Sequence, residues 1–272
     1  MDVKLLRVTE KGINLVAEAA AVSGVLPTQN AKEIVELITD NDYSSALEHI
    51  YFTFDLSEIS VALSRELLEH RIASHTARST RYMEEKGFGY YLPKELEQKG
   101  KGEGKEDGAM IYAEAMKSAN DAYTKLRELG VAREQARYVL PMALHTHYVV
   151  TINVRSLINF FMLRLCVRAS PEIRELAMRM YKVCLEEYPE IFSRIWCRGF
   201  TLGVCPENEV RPEGRTQITL EMATKGVLPK TKVKIEECPL KKLVPKKREI
   251  KDRFEEQAQR IIEENLKKWT KK

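Results

Sequence analysis

The sequence predicts an α+β fold in which strands and helices are segregated along the chain. Two segments, HIYFTFDL from His49 and HYVVTINV from His147, are rich in β-branched and aromatic residues and are typical of strands. Several longer segments repeat apolar residues at helical spacing. They do not alternate with strands in the manner that builds a parallel sheet. The chain has 272 residues, 44% of them hydrophobic and 31% charged, which is sufficient for a substantial core.

The first part of the chain predicts a strand, two helices and a second strand. VKLLRV is the opening strand, and Gly12 to Val22 is amphipathic. Asn30 is a favoured N-cap residue and predicts a helix through AKEIVELITD. After HIYFTFDL, apolar spacing over residues 57–75 predicts a helix that carries the polar segment EHRIASHTARSTRY at its C-terminal end.

The second part begins with the Gly/Lys/Glu-rich residues 94–108, which predict an exposed loop. A helix should follow from Ala109 to Leu129, and another should end near Pro141. After the strand HYVVTINV, the segment RSLINFFMLRLCVRA predicts a helix. Pro171 occupies a tolerated first-turn position and begins the next helix.

The net charge of +4 is unevenly distributed. Residues 225–272 contain 16 Lys/Arg against 8 Asp/Glu, which leaves a net charge of −4 on residues 1–224. The end of this basic tail has apolar residues at helical spacing, interleaved with Glu. These features favour a structural or oligomer-contact helix, with nucleic-acid contact as the alternative. We therefore expect no nucleic-acid partner.

The cysteines and the apolar segments indicate a cellular compartment. Five irregularly spaced cysteines fit a reducing environment rather than a disulfide framework. No apolar run approaches the roughly 20 residues of a membrane span, and the N-terminus lacks the apolar core of a signal peptide. We expect a soluble, cytoplasmic protein without membrane contact. We also predict no metal site, although Cys197, Cys205 and Cys238 could bind zinc, and His145 and His147 could act as paired ligands.

Two polar clusters lie in the first half of the chain. Glu48 and His49 precede a strand and are either a cap and a surface histidine or members of a site. The segment 69–82 holds three arginines, two histidines and four serine or threonine side chains. It is either a solvated helix end, where cations favour the helix dipole, or a site for an anion held by guanidinium and hydroxyl groups.

The third cluster is the predicted helix RSLINFFMLRLCVRA. On such a helix Arg155 and Asn159 share one face, and Arg164 and Arg168 are neighbours one turn apart. Two neighbouring arginines repel each other unless an anion lies between them, so this pattern indicates an anionic ligand. Arg137, in REQAR, could join them or could pair with Glu134.

Four segments resemble the flavin-dependent thymidylate synthases. EHRIASHTARSTRY is similar to the family segment R-H-R-x-A-S-x-N-E-x-S-x-R-Y. LEHIYFTF, REQARYVLP and TINVRSLINFFMLRLCVRASPEIR resemble three further family segments in the same order. Together they cover roughly residues 40 to 195. The resemblance implies a central antiparallel sheet with packed helices, in a domain over 1–198, followed by a basic extension over 199–272 that ends in an amphipathic helix.

The resemblance also implies a function and a set of site residues. A homotetramer would bind FAD at subunit interfaces and convert dUMP to dTMP, with 5,10-methylenetetrahydrofolate as one-carbon donor and NADPH as reductant. The matching positions for FAD are Glu48, His70, Arg71, Ile72, Asn153, Arg155, Asn159 and Arg168. Those for dUMP are Ser79, Arg81, Arg137 and Arg164. Ser79 and Arg164 are the expected catalytic residues, and Arg164 would stabilise charge that develops on the pyrimidine.

The sequence departs from the family pattern near the substrate phosphate. Glu69 replaces the first Arg of the family's hallmark segment, R-H-R-x-A-S-x-N-E-x-S-x-R-Y, and Thr76 and Ala77 replace its Asn-Glu pair. Glu66 occupies the position of a Gln in the family pattern, and Tyr43 occupies the position of a His. Arg78 could compensate by pairing with Glu69 or by binding the phosphate. Three functions follow: a divergent thymidylate synthase, a flavin enzyme that alkylates another pyrimidine nucleotide, or a non-catalytic protein that binds a nucleotide or a partner.

Overall fold

The computed structural model describes residues 1–24, 30–40, 44–98, 107–193 and 195–201. Its four strands are β1 Asp2–Val8, β2 Tyr51–Ser60, β3 Ala73–Ala77 and β4 His145–Asn153. Its first helices are α1 Gly12–Val22, α2 Ala31–Asp40, α3 Val61–Leu68, α4 Lys94–Gln98 and α5 Gly108–Glu128. The later ones are α6 Arg133–Ala136, α7 Val154–Arg164, α8 Pro171–Glu187, α9 Pro189–Phe192 and α10 Arg198–Thr201. Two 3₁₀ helices span Ser44–His49 and Arg137–Val139.

The strands form one antiparallel sheet in the order β1-β2-β4-β3. This arrangement confirms the predicted α+β fold class and the strands predicted at VKLLRV, HIYFTFDL and HYVVTINV. The β2–β4 register shifts between Leu56 and Ile59, where Glu58 adopts a left-handed conformation with φ 55°. Such a bulge bends the strand and allows β2 to continue to the first turn of α3.

One face of the sheet forms the core. Alternate residues of β2 and β4 are buried on this face, as the period of two requires. They are Phe52, Phe54, Leu56, Tyr148, Val150 and Ile152. Apolar residues of α1, α3 and α8 are also buried, including Val16, Leu63, Leu67, Ile173, Leu176 and Met180.

The prediction of a helix over residues 57–75 is wrong at both ends, because α3 spans only Val61–Leu68. The first residues of the predicted helix belong to β2, because Ile59 and Ser60 pair with β4. The Ser60 side chain then accepts a hydrogen bond from the backbone N–H of Leu63 and caps α3. The helix ends at Leu68, and residues 73–77 form the edge strand β3. Sheet pairing therefore overrides the apolar spacing, and the polar segment is not a solvated helix end.

The other helices predicted within the described residues are present, but two differ in length. The helix predicted before Pro141 is reduced to α6 and the 3₁₀ helix Arg137–Val139. Residues 94–98, predicted as part of a loop, form α4 instead. Asn30 Oδ1 accepts a hydrogen bond from the backbone N–H of Lys32 at 3.1 Å, as expected of an N-cap. The helix predicted to run from Arg155 to Ala169 is α7, and it ends at Arg164. Because proline disfavours helical conformation in the residue before it, Pro171 prevents a continuous helix here. Arg168 lies in a turn, so it does not share a helix face with Arg164.

The structure divides into two compact units. The first contains residues 1–160 and 171–191, and therefore the whole sheet. Of the described residues, the second contains 161–170, 192–193 and 195–201, and within it the rings of Phe161 and Phe192 meet edge to face at 5.8 Å. The predicted amphipathic tail helix, Tyr43, Cys205 and Cys238 lie outside the described residues. Among the helices described, none has the length and apolar character to cross a membrane.

Candidate active site

Predicted cofactor residues meet where the 3₁₀ helix Ser44–His49 approaches the start of α7. Arg155 Nη1 donates to Glu48 Oε1 at 2.5 Å. Both side chains are partly exposed, at 54% for Arg155 and 37% for Glu48. The pair therefore joins two motifs that are separated by 107 residues, and its charged groups are accessible to solvent.

The hallmark segment meets the same part of α7. The ring of His70 is buried and lies edge-on to the ring of Phe160, with 4.8 Å between centroids. The backbone N–H of Ile72 donates to Ser156 Oγ at 3.1 Å. Arg71, which lies between these two contacts, is exposed, and its guanidinium has no hydrogen-bonding partner within the described part of the chain. This arrangement leaves a cation available to a ligand.

Asn153, another predicted cofactor residue, is buried and caps α7. Its Oδ1 accepts a hydrogen bond from the backbone N–H of Ser156 at 2.8 Å. The spacing N-x-x-S at a helix start is an N-cap pattern, so it could have indicated Ser156 from the sequence. Asn153 therefore fixes the first turn of α7. This helix carries Arg155 and the half-buried Asn159.

Predicted substrate residues lie in the turn after β3. The backbone N–H of Met83 donates to the carbonyl of Ser79 at 2.9 Å, which closes one helical turn. Ser79 Oγ accepts from the backbone N–H of Arg81 at 3.3 Å. The hydroxyl of Ser79 can therefore still donate its own hydrogen to a ligand.

This turn is connected to α6 and the following 3₁₀ helix. Arg81 Nη2 donates to Glu134 Oε2 at 3.1 Å, so Glu134 pairs with Arg81 rather than with Arg137. Arg137 Nη1 lies 3.5 Å from Thr80 Oγ1 and donates to it. Two guanidinium groups and two hydroxyls from motifs more than 50 residues apart are thus brought together.

Two further ion-pair clusters surround the turn. Arg78 Nε donates to Glu85 Oε1 at 2.9 Å, so Arg78 is paired with Glu85 and not with Glu69. Arg127 and Arg133 both donate to the Glu84 carboxylate, at 3.3 Å and 3.2 Å. Desolvation acts to raise the pKa of Glu84, but the Tyr123 hydroxyl and these guanidinium groups outweigh it and hold the pKa below its usual value. Glu85 is buried and Glu84 is half-buried, and neither pairing has a signal in the sequence.

The residues that replace family positions lie on α3 and β3. Glu69 is exposed and is the C-terminal capping residue of α3, while Glu66 is half-buried on the same helix. Thr76 and Ala77 are exposed on the edge strand β3. The substitutions therefore concentrate at both ends of the segment that carries His70 to Ser79.

His145 and His147 border a cleft of about 290 Å³ beside the turn. Burial lowers the pKa of His145, which favours its neutral form. The His147 imidazole contacts the Asp55 carboxylate. No group of three or more potential metal ligands occurs among the residues that the structure describes. Arg164 and Arg168 belong to the second unit.

These features define a class of protein: an antiparallel-sheet α+β protein in which arginine and hydroxyl groups, the donors that suit anionic ligands, are gathered around the edge strand β3. A sequence profile of the Thy1 family, described as thymidylate synthase complementing protein, matches residues 4–190. The chain therefore belongs to the flavin-dependent thymidylate synthase family, whose members are methyltransferases.

Three similar proteins are each named flavin-dependent thymidylate synthase. The protein of Saccharolobus solfataricus is 38% identical over 231 residues, covering 81% of this chain and 85% of its own. That of Geobacter sulfurreducens is 39% identical over 182 residues, covering 67% and 76%. That of Nitratidesulfovibrio vulgaris is 32% identical over 209 residues, covering 74% and 83%.

Proposed function

We propose that this chain methylates dUMP at C5 to give dTMP, using FAD, 5,10-methylenetetrahydrofolate and NADPH. Family membership and the names of the relatives support this reaction. The observation that carries the proposal is the convergence of Ser79, Thr80 and Arg81 with Arg137. Guanidinium and hydroxyl donors so arranged suit a nucleotide phosphate, because each can donate to a different phosphate oxygen.

The described residues fit a flavin at the other end of β3. FAD combines a diphosphate with a flat heteroaromatic ring, so its site needs both cations and hydrogen-bond donors. Arg71 and Arg155 are exposed cations, and Asn159 on α7 can donate an amide hydrogen. When bound, the flavin would supply the hydride, while the protein supplies position and electric field.

The chain's own residues would act through binding and electrostatics. Ser79, Arg81 and Arg137 would hold the phosphate and orient the nucleotide. By its matching position, Arg164 would lie against the pyrimidine and stabilise negative charge that develops on the ring. Arg168 would contact the flavin, and the active enzyme would be a homotetramer with sites at subunit interfaces, a state that light scattering can test.

A second candidate function is flavin-dependent alkylation of a different pyrimidine nucleotide. Two carboxylates, Glu66 and Glu69, stand where the family pattern has Gln and Arg. A carboxylate near a phosphate dianion is repulsive unless a cation intervenes. Arg78, the nearby candidate for compensation, already pairs with Glu85. These observations favour a nucleotide whose phosphate is bound by different groups from those of the family pattern.

The visible absorbance spectrum of the purified protein, titrated with FAD and then dUMP, tests the proposal. A bound flavin whose band shifts on addition of dUMP supports thymidylate synthesis. The Ser79→Ala variant should lose that shift, while Ser23→Ala at the end of α1 should retain it. A flavin band that responds to another pyrimidine nucleotide, but not to dUMP, would support the second candidate. Failure to bind flavin would leave a non-catalytic role.

A further inference from the structure

Residues 78–85 form a loop that an ion pair closes upon itself. At its first end, the backbone N–H of Arg78 donates to the carbonyl of His147 at 2.8 Å and extends the β3–β4 pairing by one step. The Arg78 side chain then reaches across the loop. Its Nε donates to Glu85 Oε1 at 2.9 Å, and its Nη2 donates to the Glu84 carbonyl at 3.2 Å. Ser79 and Arg81 lie inside the closed loop.

The second end of the loop is anchored to α5. The backbone N–H of Glu85 donates to the hydroxyl of the fully buried Tyr123 at 3.4 Å. Two residues further on, the backbone N–H of Gly87 donates to Asn120 Oδ1 at 2.7 Å. The loop is thus fixed to β4 at one end and to α5 at the other, and the Arg78–Glu85 pair connects the ends.

The Glu85 side chain is only 5% exposed, so its charge requires a partner. An unpaired buried carboxylate is strongly unfavourable, and Arg78 supplies two of the hydrogen bonds that compensate for its desolvation. The same contacts occupy the Nε and Nη2 groups of Arg78. A guanidinium held in this way by a buried carboxylate cannot turn its Nε–Nη2 face to a phosphate without leaving that carboxylate unpaired. Arg81 differs, because its partner Glu134 is 48% exposed and water can replace that pair when a ligand binds.

We propose that Arg78 is a positioning residue, which with Glu85 clamps the loop and fixes Ser79 and Arg81 for the nucleotide, instead of binding the phosphate itself. This inference rests on the proposed function. A loop held in its binding geometry before the ligand arrives loses less conformational freedom on binding. The clamp therefore lowers the nucleotide concentration that the enzyme needs, and it acts without touching the nucleotide.

The variant Glu85→Gln separates positioning from direct contact. If Arg78 positions the loop, this substitution weakens the clamp and raises KM for dUMP by roughly tenfold, the change for about 1.4 kcal/mol of lost preorganisation. It changes kcat little, because saturating nucleotide restores the bound geometry. If Arg78 instead binds the phosphate, Glu85→Gln releases the arginine, and KM stays the same or falls. That result would overturn the proposal.

The charge-reversed double variant Arg78→Glu with Glu85→Arg provides a second test. A clamp re-formed with reversed charges should recover much of the affinity that Arg78→Glu alone loses, whereas loss of a phosphate ligand cannot be recovered. As a matched control, Glu175→Gln breaks the exposed Arg179–Glu175 pair of α8, which spans 2.8 Å, and should leave KM for dUMP unchanged. Retained flavin absorbance in each variant verifies that it is folded.

Hydrogen exchange of the ligand-free protein separates failure of the clamp from failure of the proposed function. Amides 79–87 should exchange at least several-fold faster in Glu85→Gln than in the wild type, and amides of α8 should not change. Unchanged exchange in residues 79–87 would overturn the clamp. If the wild-type protein does not respond to dUMP, the proposed function fails and the nucleotide role of the clamp fails with it, even where exchange confirms the closed loop.

Discussion

Replacing Ser60 by alanine should destabilise the protein strongly, although Ser60 touches no predicted ligand. Its hydroxyl donates to Glu172 Oε2 at 2.5 Å and accepts from the backbone N–H of Leu63 at 2.9 Å. Ser60 is 1% exposed and Glu172 is 7% exposed, so water cannot readily replace these bonds. The hydroxyl therefore both caps α3 and satisfies a buried carboxyl group on α8.

The expected loss follows from these two contacts. Removing a serine N-cap costs about 1 kcal/mol. Losing a hydrogen bond to a charged acceptor costs about 1.5–3 kcal/mol. Ser60→Ala retains the backbone N–H bond to Glu172 Oε1 at 2.8 Å, so that contribution remains. The free energy of unfolding should therefore fall by about 2.5–4 kcal/mol.

Equilibrium unfolding in urea at one fixed protein concentration measures this change, because an oligomer's stability depends on concentration. Ser64→Ala on the same helix is the matched control, since its hydroxyl donates only to the Val61 carbonyl, at 2.8 Å. That variant should lose about 0.5–1.5 kcal/mol. If Ser60→Ala cost no more than Ser64→Ala, the joint capping role of Ser60 would be refuted.

Three further changes have defined outcomes. Burial raises the pKa of Glu172, so the folded state binds more protons than the unfolded state above the ordinary value of 4.5, and stability falls as pH rises through that window. Glu172→Gln, measured by urea unfolding at several pH values, should abolish this fall; an unchanged pH profile would contradict it. Gly12→Ala should lower the melting temperature in calorimetry, because the new Cβ would lie 2.6 Å from the Tyr188 hydroxyl and 2.8 Å from Ile50 Cδ1; an unaltered melting temperature would contradict the close packing. Arg71→Gln should weaken FAD binding about tenfold in a fluorescence titration, by loss of one cation, and equal affinity would remove Arg71 from the site.

Three of the four described strands and most of the described helices could be predicted from local pattern, since alternation and apolar spacing reflect burial directly. The segment 57–75 could not. Ile59, Leu63 and Leu67 satisfy helical spacing, yet the pairing of Ile59 and Ser60 with β4 places the first part of the segment in the sheet. Pairing between distant strands depends on residues elsewhere in the chain, so a local pattern cannot reveal it.

The sequence predicted which residues belong to the candidate site more readily than it predicted the contacts between them. The resemblance singled out Ser79, Arg81 and Arg137, and the structure brings the turn of the first two to the helix of the third. It did not indicate that Arg78 pairs with the buried Glu85. An acidic residue in a charged segment usually faces solvent, so its burial follows only from the tertiary fold.

The most direct test is the formation of dTMP from dUMP by the purified protein, followed by chromatography. The complete mixture contains FAD, NADPH and 5,10-methylenetetrahydrofolate, and each is omitted in turn. We predict dTMP in the complete mixture and none when FAD or the folate is omitted. Absence of dTMP from the complete mixture, with flavin demonstrably bound, would contradict thymidylate synthesis and favour a different pyrimidine nucleotide as substrate.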